Sequence, residues 1–123
     1  MGSRELTESQ IQIQVADWLR LHEAGGGFIF VSVPNEALGR ANSRAGLWRM
    51  AQLKRMGLRP GCSDLIIIAK GYAYCLEMKT ANGKQSPAQI LFQEQVTNAG
   101  AEYAVAHSFD EAKKIIEEWA IFA

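Results

Sequence analysis

The sequence predicts an α/β fold, a central mixed β-sheet flanked by helices in the order α-β-α-β-β-α-β-α. Two observations carry that prediction. The apolar runs Leu65-Ile66-Ile67-Ile68-Ala69 and Tyr72-Ala73-Tyr74-Cys75-Leu76 are rich in strand-forming residues and flank Lys70-Gly71, whose glycine supplies the positive φ of a tight hairpin turn. Beyond the hairpin come a capped helix and one more short strand, a strand-helix-strand unit that implies a parallel, right-handed crossover. Because the hairpin is apolar on both alternating faces, it belongs in the middle of the sheet with cover on each side.

Each remaining element has its own local signals. Thr7-Glu8-Ser9-Gln10 reads as a capping box that opens the first helix, and Ile11, Val15, Trp18 and Leu19 give that helix a buried stripe. Gly25-Gly26-Gly27 ends it and frees the chain to enter a strand over Phe28-Ile29-Phe30-Val31-Ser32-Val33, which Pro34-Asn35-Glu36 breaks. From Ala37 to Met56 the spacing is helical but interrupted by Gly39 and Gly46, predicting one broken helix or a mobile arch. Thr80 to Gln85 is a polar loop. Ser86-Pro87-Ala88-Gln89 then starts a helix twice over, with proline at the first helical position and a second capping box. Leu91, Phe92, Val96 and Ala99 are expected to face the sheet, and Gly100 closes the helix before the strand Glu102–Ala106. The last helix is expected from Ser108 to Phe122, with Ala112, Ile115, Ile116 and Trp119 buried and Ile121 and Phe122 left over for a partner subunit.

Bulk composition narrows the function classes. A chain of 123 residues, 48% of them hydrophobic, is read as a single domain spanning 1–123, with Met1-Gly2-Ser3 set aside as an added leader. No apolar stretch approaches the ~20 residues of a membrane span, so no membrane partner is expected. The cytoplasm is the expected location. Cys62 and Cys75 are placed apart along the hairpin and are not expected to pair, and with His22 and His107 they lack zinc-site spacing. Net charge is zero, but its distribution is uneven. Between Ala37 and Ser63 there is no acidic residue, whereas Arg40, Arg44, Arg49, Lys54, Arg55 and Arg59 all fall there, as phosphate contacts would require. Trp48 lies among them, either packed in the core or free to stack on a base.

The hairpin also sets up a chemical site. If Ala69 pairs with Tyr72, Asp64 falls opposite Glu77 with Cβ atoms about 4.5–5.5 Å apart, and Lys79 lies on the same face two residues on. Two carboxylates side by side at the end of a covered hairpin repel each other and lose hydration unless a cation joins them. Mg²⁺ suits that arrangement, taking one or two carboxylates and keeping several waters. The plainer alternative is a set of strand-end surface charges.

At these residues a resemblance becomes specific. Asp64 followed across a hairpin by Glu77-Met78-Lys79 resembles the catalytic core of the PD-(D/E)XK nuclease superfamily, whose fold is restriction-endonuclease-like. Within it, Gly61-x-x-Asp64-Leu65-Ile66, then Glu77-x-Lys79, then Gly83-Lys84-x-Ser86-x-x-Gln89 is similar to the VRR-NUC family, the virus-type replication-repair nucleases. Ser63 stands where the superfamily name has proline. The resemblance implies a DNA endonuclease dependent on Mg²⁺ or Mn²⁺, acting on branched or structured DNA in the manner of a Holliday-junction resolvase. It implies that Asp64, Glu77 and the Met78 carbonyl hold the metal, that Lys79 orients the attacking water, and that Gln89 contacts substrate phosphate or a metal-bound water. A glutamate on the first helix completes the site in that family; Glu8 is the matching position, with Glu5 as the alternative. Asn35 and Glu36 stand at a strand-end turn that also resembles the family pattern. Standalone members resemble homodimers with one active site per strand. The competing reading is a DNA-binding or structural domain that keeps the fold without the chemistry.

Overall fold

The computed structural model describes residues 5–34 and 43–122. Eight elements follow one another in the expected order: α1 (Glu8–Glu23), β1 (Phe28–Ser32), α2 (Arg44–Arg55), β2 (Leu65–Ala69), β3 (Tyr72–Met78), α3 (Pro87–Asn98), β4 (Glu102–Ala106) and α4 (Phe109–Glu118). The strands lie side by side in chain order, β1-β2-β3-β4. β2 runs antiparallel to both of its neighbours, β1 and β3, and β4 runs parallel to β3.

The hairpin has the register its turn dictates, with Ala69 opposite Tyr72, Ile66 opposite Cys75 and Leu65 opposite Leu76. Both turn residues adopt positive φ, 53° at Lys70 and 83° at Gly71, as the type I′ connection that matches strand twist requires. Both capping boxes form. Thr7 and Gln10 exchange side chain-to-backbone hydrogen bonds at the start of α1, and Ser86 and Gln89 do the same at the start of α3.

Alternation along β3 splits the core in two. Leu76 and Met78 join Leu65 and Ile67 against Ile11, Val15 and Leu19 of α1 and Ala112 and Ile116 of α4. On the opposite face Cys75 packs with Cys62 and Phe92 of α3. Both cysteines are buried and form no disulfide, but they pack in one cluster rather than standing well apart as the hairpin register had implied. Burial of roughly 1.5–3 kcal/mol per large side chain on the α1/α4 face holds the sheet rigid beneath the site.

Three expectations need correction. Ile121 and Phe122 are not spare surface: Ala120 takes a positive φ of 55° and turns the chain back, burying Ile121 and stacking Phe122 on His22 with centroids 4.1 Å apart. Their apolar area is thus used within the chain. Leu91 and Ala99 face solvent: the apolar α3 side chains that pack on the sheet are Phe92 and Val96, Leu91 lies beside that stripe rather than on it, and Ala99 follows the last turn of the helix. Gly46 does not interrupt its helix: in the described part of the Ala37–Met56 segment, Arg44–Arg55 is one regular helix capped by Ser43, whose hydroxyl accepts from Gly46 N–H. Gly46 is accommodated in its first turn, where a glycine costs least. Asn35, Glu36, Gly39 and Arg40 lie outside the described residues. Among the described residues no helix is long and apolar enough to cross a membrane.

Candidate active site

The charged residues of the hairpin gather at its open end. Asp64 precedes β2 and is held from two sides: its carbonyl accepts from Val33 N–H at 2.9 Å, and its carboxylate Oδ2 accepts from Met78 N–H at 2.7 Å. Glu77, one residue before Met78, is 1% exposed and projects to the α3 face with Cys75. Its Oε2 accepts from the Gln89 amide at 2.8 Å and lies 3.9 Å from the Lys79 ammonium. Its other oxygen, Oε1, is buried without a hydrogen-bond partner. A buried charge with half its acceptor capacity empty is costly.

The electrostatics record that cost. Burial, the charge of Asp64 and a hydrogen bond with it raise Glu77 from 4.5 to about 8, while Lys79 pulls the other way and Glu8 adds a small push upward. The same burial and the same carboxylates reach neighbouring groups. Cys62 is raised by burial, then by Cys75, Glu77 and Asp64, and Tyr103 is pushed up to about 12 mainly by burial. The open end of the hairpin therefore sets two carboxyls where burial and mutual repulsion disfavour ionising both, with the Lys79 ammonium beside Glu77.

Two packing details hold this geometry. Gln89 sits on the first turn of α3, where its Oε1 accepts from Ser86 N–H at 2.8 Å while its Nε2 donates to Glu77. One amide thus caps a helix and fixes the carboxylate. Gly61 explains how α3 comes so close: at φ 79°, a Cβ there would stand 2.4 Å from the main chain of Ala88 and 2.7 Å from that of Gln89. Only glycine lets the loop before Asp64 touch the helix that carries Gln89. Lys79, 9% exposed, is anchored through its N–H to the Ala106 carbonyl, which ties the end of β3 to β4.

The VRR-NUC domain model matches residues 6–110. The chain belongs to the VRR-NUC family. It therefore carries a nuclease-type domain, for which DNA is the implied partner. A solved structure described as "VRR_NUC domain protein" is 24% identical with a TM-score of 0.71, over 98% of this chain and 93% of that one. A second, described as "VRR_NUC domain", is 21% identical with a TM-score of 0.61, over 93% of this chain and 99% of that one. Both likenesses are of fold, in keeping with a PD-(D/E)XK core. No curated protein matches the chain.

Of the residues singled out from the sequence, the VRR-NUC fold of this chain brings Asp64, Glu77, Met78, Lys79 and Gln89 together. Glu8 is the first residue of α1, exposed, and near enough for its charge to be felt at Glu77. Glu5 instead lines a cleft with Leu6, Ile11, Ala81, Asn82, His107 and Ser108. The basic residues are dispersed: Arg44, Arg49, Lys54 and Arg55 are exposed on α2, and Arg59 donates to Gln95 of α3 at 2.6 Å. Ser63, at the proline position of the superfamily name, is fully buried and donates to the Leu65 carbonyl, so a hydroxyl shapes the entry to β2. Sequence reasoning missed the other supporting residues. His107 spans Glu111 and the Gly83 carbonyl, each at 3.2 Å, tying the loop after Lys79 to α4. Gln85 donates to Tyr103 Oη and to Gln93. Only Tyr103 had a signal, since its parallel pairing with Cys75 places it on the Glu77 face.

Proposed function

We propose that the chain is a Mg²⁺- or Mn²⁺-dependent DNA endonuclease that hydrolyses phosphodiester bonds in branched or structured DNA and works as a homodimer. The observation that carries the reading is the orphaned Oε1 of Glu77, buried beside Asp64 in a pocket that disfavours negative charge. A divalent cation removes both penalties at once. Among the described residues no group of three or more His, Cys, Asp or Glu side chains forms a metal cage, so the donors on offer are the two carboxylates and main-chain oxygen. That sparse, all-oxygen set fits a hard cation that keeps most of its waters and shares itself with a substrate phosphate. Asp64, Glu77 and the Met78 carbonyl would hold it, with Glu8 contributing charge from α1 rather than a ligand atom.

When bound, such a cation polarises the scissile phosphate and lowers the pKa of a coordinated water. The chain's own residues do the positioning. Gln89 holds Glu77 through its contact at Oε2, leaving Oε1 buried without a hydrogen-bond partner. The Met78 N–H fixes Asp64 in the same way. Lys79, rooted by its main chain on β4, places one compact donor at the wall of the pocket, where it can align the attacking water and offset charge that develops on the phosphate. The acid, acid and lysine are all in place, which favours an enzyme over a silent domain of the same fold.

Titrating Mg²⁺ against a labelled four-way junction, a flap and a linear duplex tests the proposal. The expected result is metal-dependent cleavage of the junction or flap that Asp64→Asn abolishes while leaving metal-free DNA binding intact. Cleavage unaffected by chelator, or undiminished in Asp64→Asn, would overturn it. Sedimentation of the active species checks the dimer.

A further inference from the structure

Helix α2 is well formed yet stands apart from the other described elements. Ser43 caps its start, Lys54 and Arg55 suit its last turn, and none of its residues is buried. Among the described residues it makes no substantial packing contact with another helix or strand. Its half-buried residues, Gly46, Met50 and Leu53, fall on one side. Arg44, Trp48, Ala51 and Arg55 recur at intervals of three and four on the opposite side, facing outward. Trp48 at the centre of that face is 68% exposed. The other two tryptophans, Trp18 and Trp119, pack against the core.

We propose that the outer face of α2 is a binding site for an unpaired nucleobase, with Trp48 as the stacking platform and Arg44 and Arg55 on the flanking phosphates. An indole in water loses the large apolar burial that tryptophan otherwise gains, so it has a reason to be covered by something. Charge chooses the cover. The segment around the helix carries no acid, so a polyanion is attracted to it, whereas the same helix of a second copy would set like charges against each other. A membrane fits less well, because Leu47, Trp48 and Met56 point in different directions around the helix and arginines share the face of Trp48. Aromatic stacking needs an open base face, and within continuous duplex those faces are already stacked on neighbours. The site therefore favours forks, flaps and junctions over intact duplex, and would give the nuclease a preference that the carboxylate pocket cannot supply. This inference rests on the DNA-acting reading above.

The test is metal-free binding of the full chain, in chelator, to a fork with single-stranded arms and to a long linear duplex. A stacked base adds about 5- to 150-fold in affinity. Trp48→Ala is expected to lower the ratio of fork to duplex affinity by that factor, Trp48→Phe to restore part of it, and single-stranded DNA to quench wild-type tryptophan emission but not that of Trp48→Phe. An unchanged ratio in Trp48→Ala overturns the proposal, even if the wild-type protein cleaves DNA. So does a Trp48→Ala protein that loses self-association, or binding to phosphatidylglycerol vesicles, while keeping the ratio. A wild-type protein that shows the expected ratios but never cleaves leaves this site standing and removes the nuclease reading instead.

Discussion

Replacing Glu77 by glutamine should stabilise the metal-free protein at alkaline pH, although it removes a central residue of the site. The amide keeps the size and can still accept from Gln89, but it carries no charge into the pocket. The wild-type carboxyl is raised from 4.5 to about 8 by burial first and by Asp64 next. A raised folded-state value means that the protonated form suits the fold. Its favourable contribution is complete below the unfolded value near 4.5 and is lost as pH climbs through 8. At 1.36 kcal/mol per pH unit, the wild type gives up as much as about 5 kcal/mol across that window. Glutamine titrates nowhere and loses none of it. Urea unfolding in chelator at a series of pH values between 4 and 9 reads this directly. The two proteins should start near parity, and the variant should gain on the wild type until about pH 8 and then hold a constant lead. Saturating Mg²⁺ should narrow that lead by stabilising the wild type alone, by about 2.7 kcal/mol at a hundred times Kd. Parallel curves across the whole range would refute the assignment of Glu77 as the strained, cation-seeking acid.

Three further outcomes follow from the geometry. Lys79→Arg should slow single-turnover cleavage nearly as much as Lys79→Ala, because a planar guanidinium cannot place one compact donor at the same point; a near-normal rate for the arginine variant would reduce Lys79 to a mere charge. Gly61→Ala should cost about 2–5 kcal/mol in unfolding free energy, combining a positive φ with a clash against Ala88 and Gln89, and a wild-type stability would show that α3 does not sit where described. Removing Arg44, Arg49 and Arg55 together should flatten the dependence of log K on log salt by up to about 0.9 per lost phosphate contact, and an unchanged slope would return α2 to plain solvent exposure.

Much of this arrangement is legible in the sequence because it depends on short-range rules. A two-residue turn fixes the hairpin register, so the approach of Asp64 to the Glu77–Met78 end of β3 follows from counting outward from Lys70-Gly71. Two capping boxes mark where α1 and α3 begin, and the second also places Gln89. Periodicity was less informative where burial depends on what lies opposite. Leu91 adjoins the stripe that Phe92 and Val96 make, yet nothing in the chain tells how much of α3 the sheet can cover. Ile121 and Phe122 looked surplus because the turn at Ala120 depends on a non-glycine residue at positive φ, which no composition rule anticipates. The brackets made by His107 and Gln85 join residues far apart in sequence, and polar side chains in a loop carry no mark of the carbonyl or hydroxyl they will meet.

The central claim, that Asp64 and Glu77 share a divalent cation, is tested most directly by diffraction from crystals of the full chain soaked in Mn²⁺, using the metal's anomalous signal. The account predicts one strong peak within coordination distance of Asp64 and of Glu77 Oε1, absent from crystals of Glu77→Gln treated in the same way. A peak elsewhere, or one that survives the substitution at full strength, would contradict it.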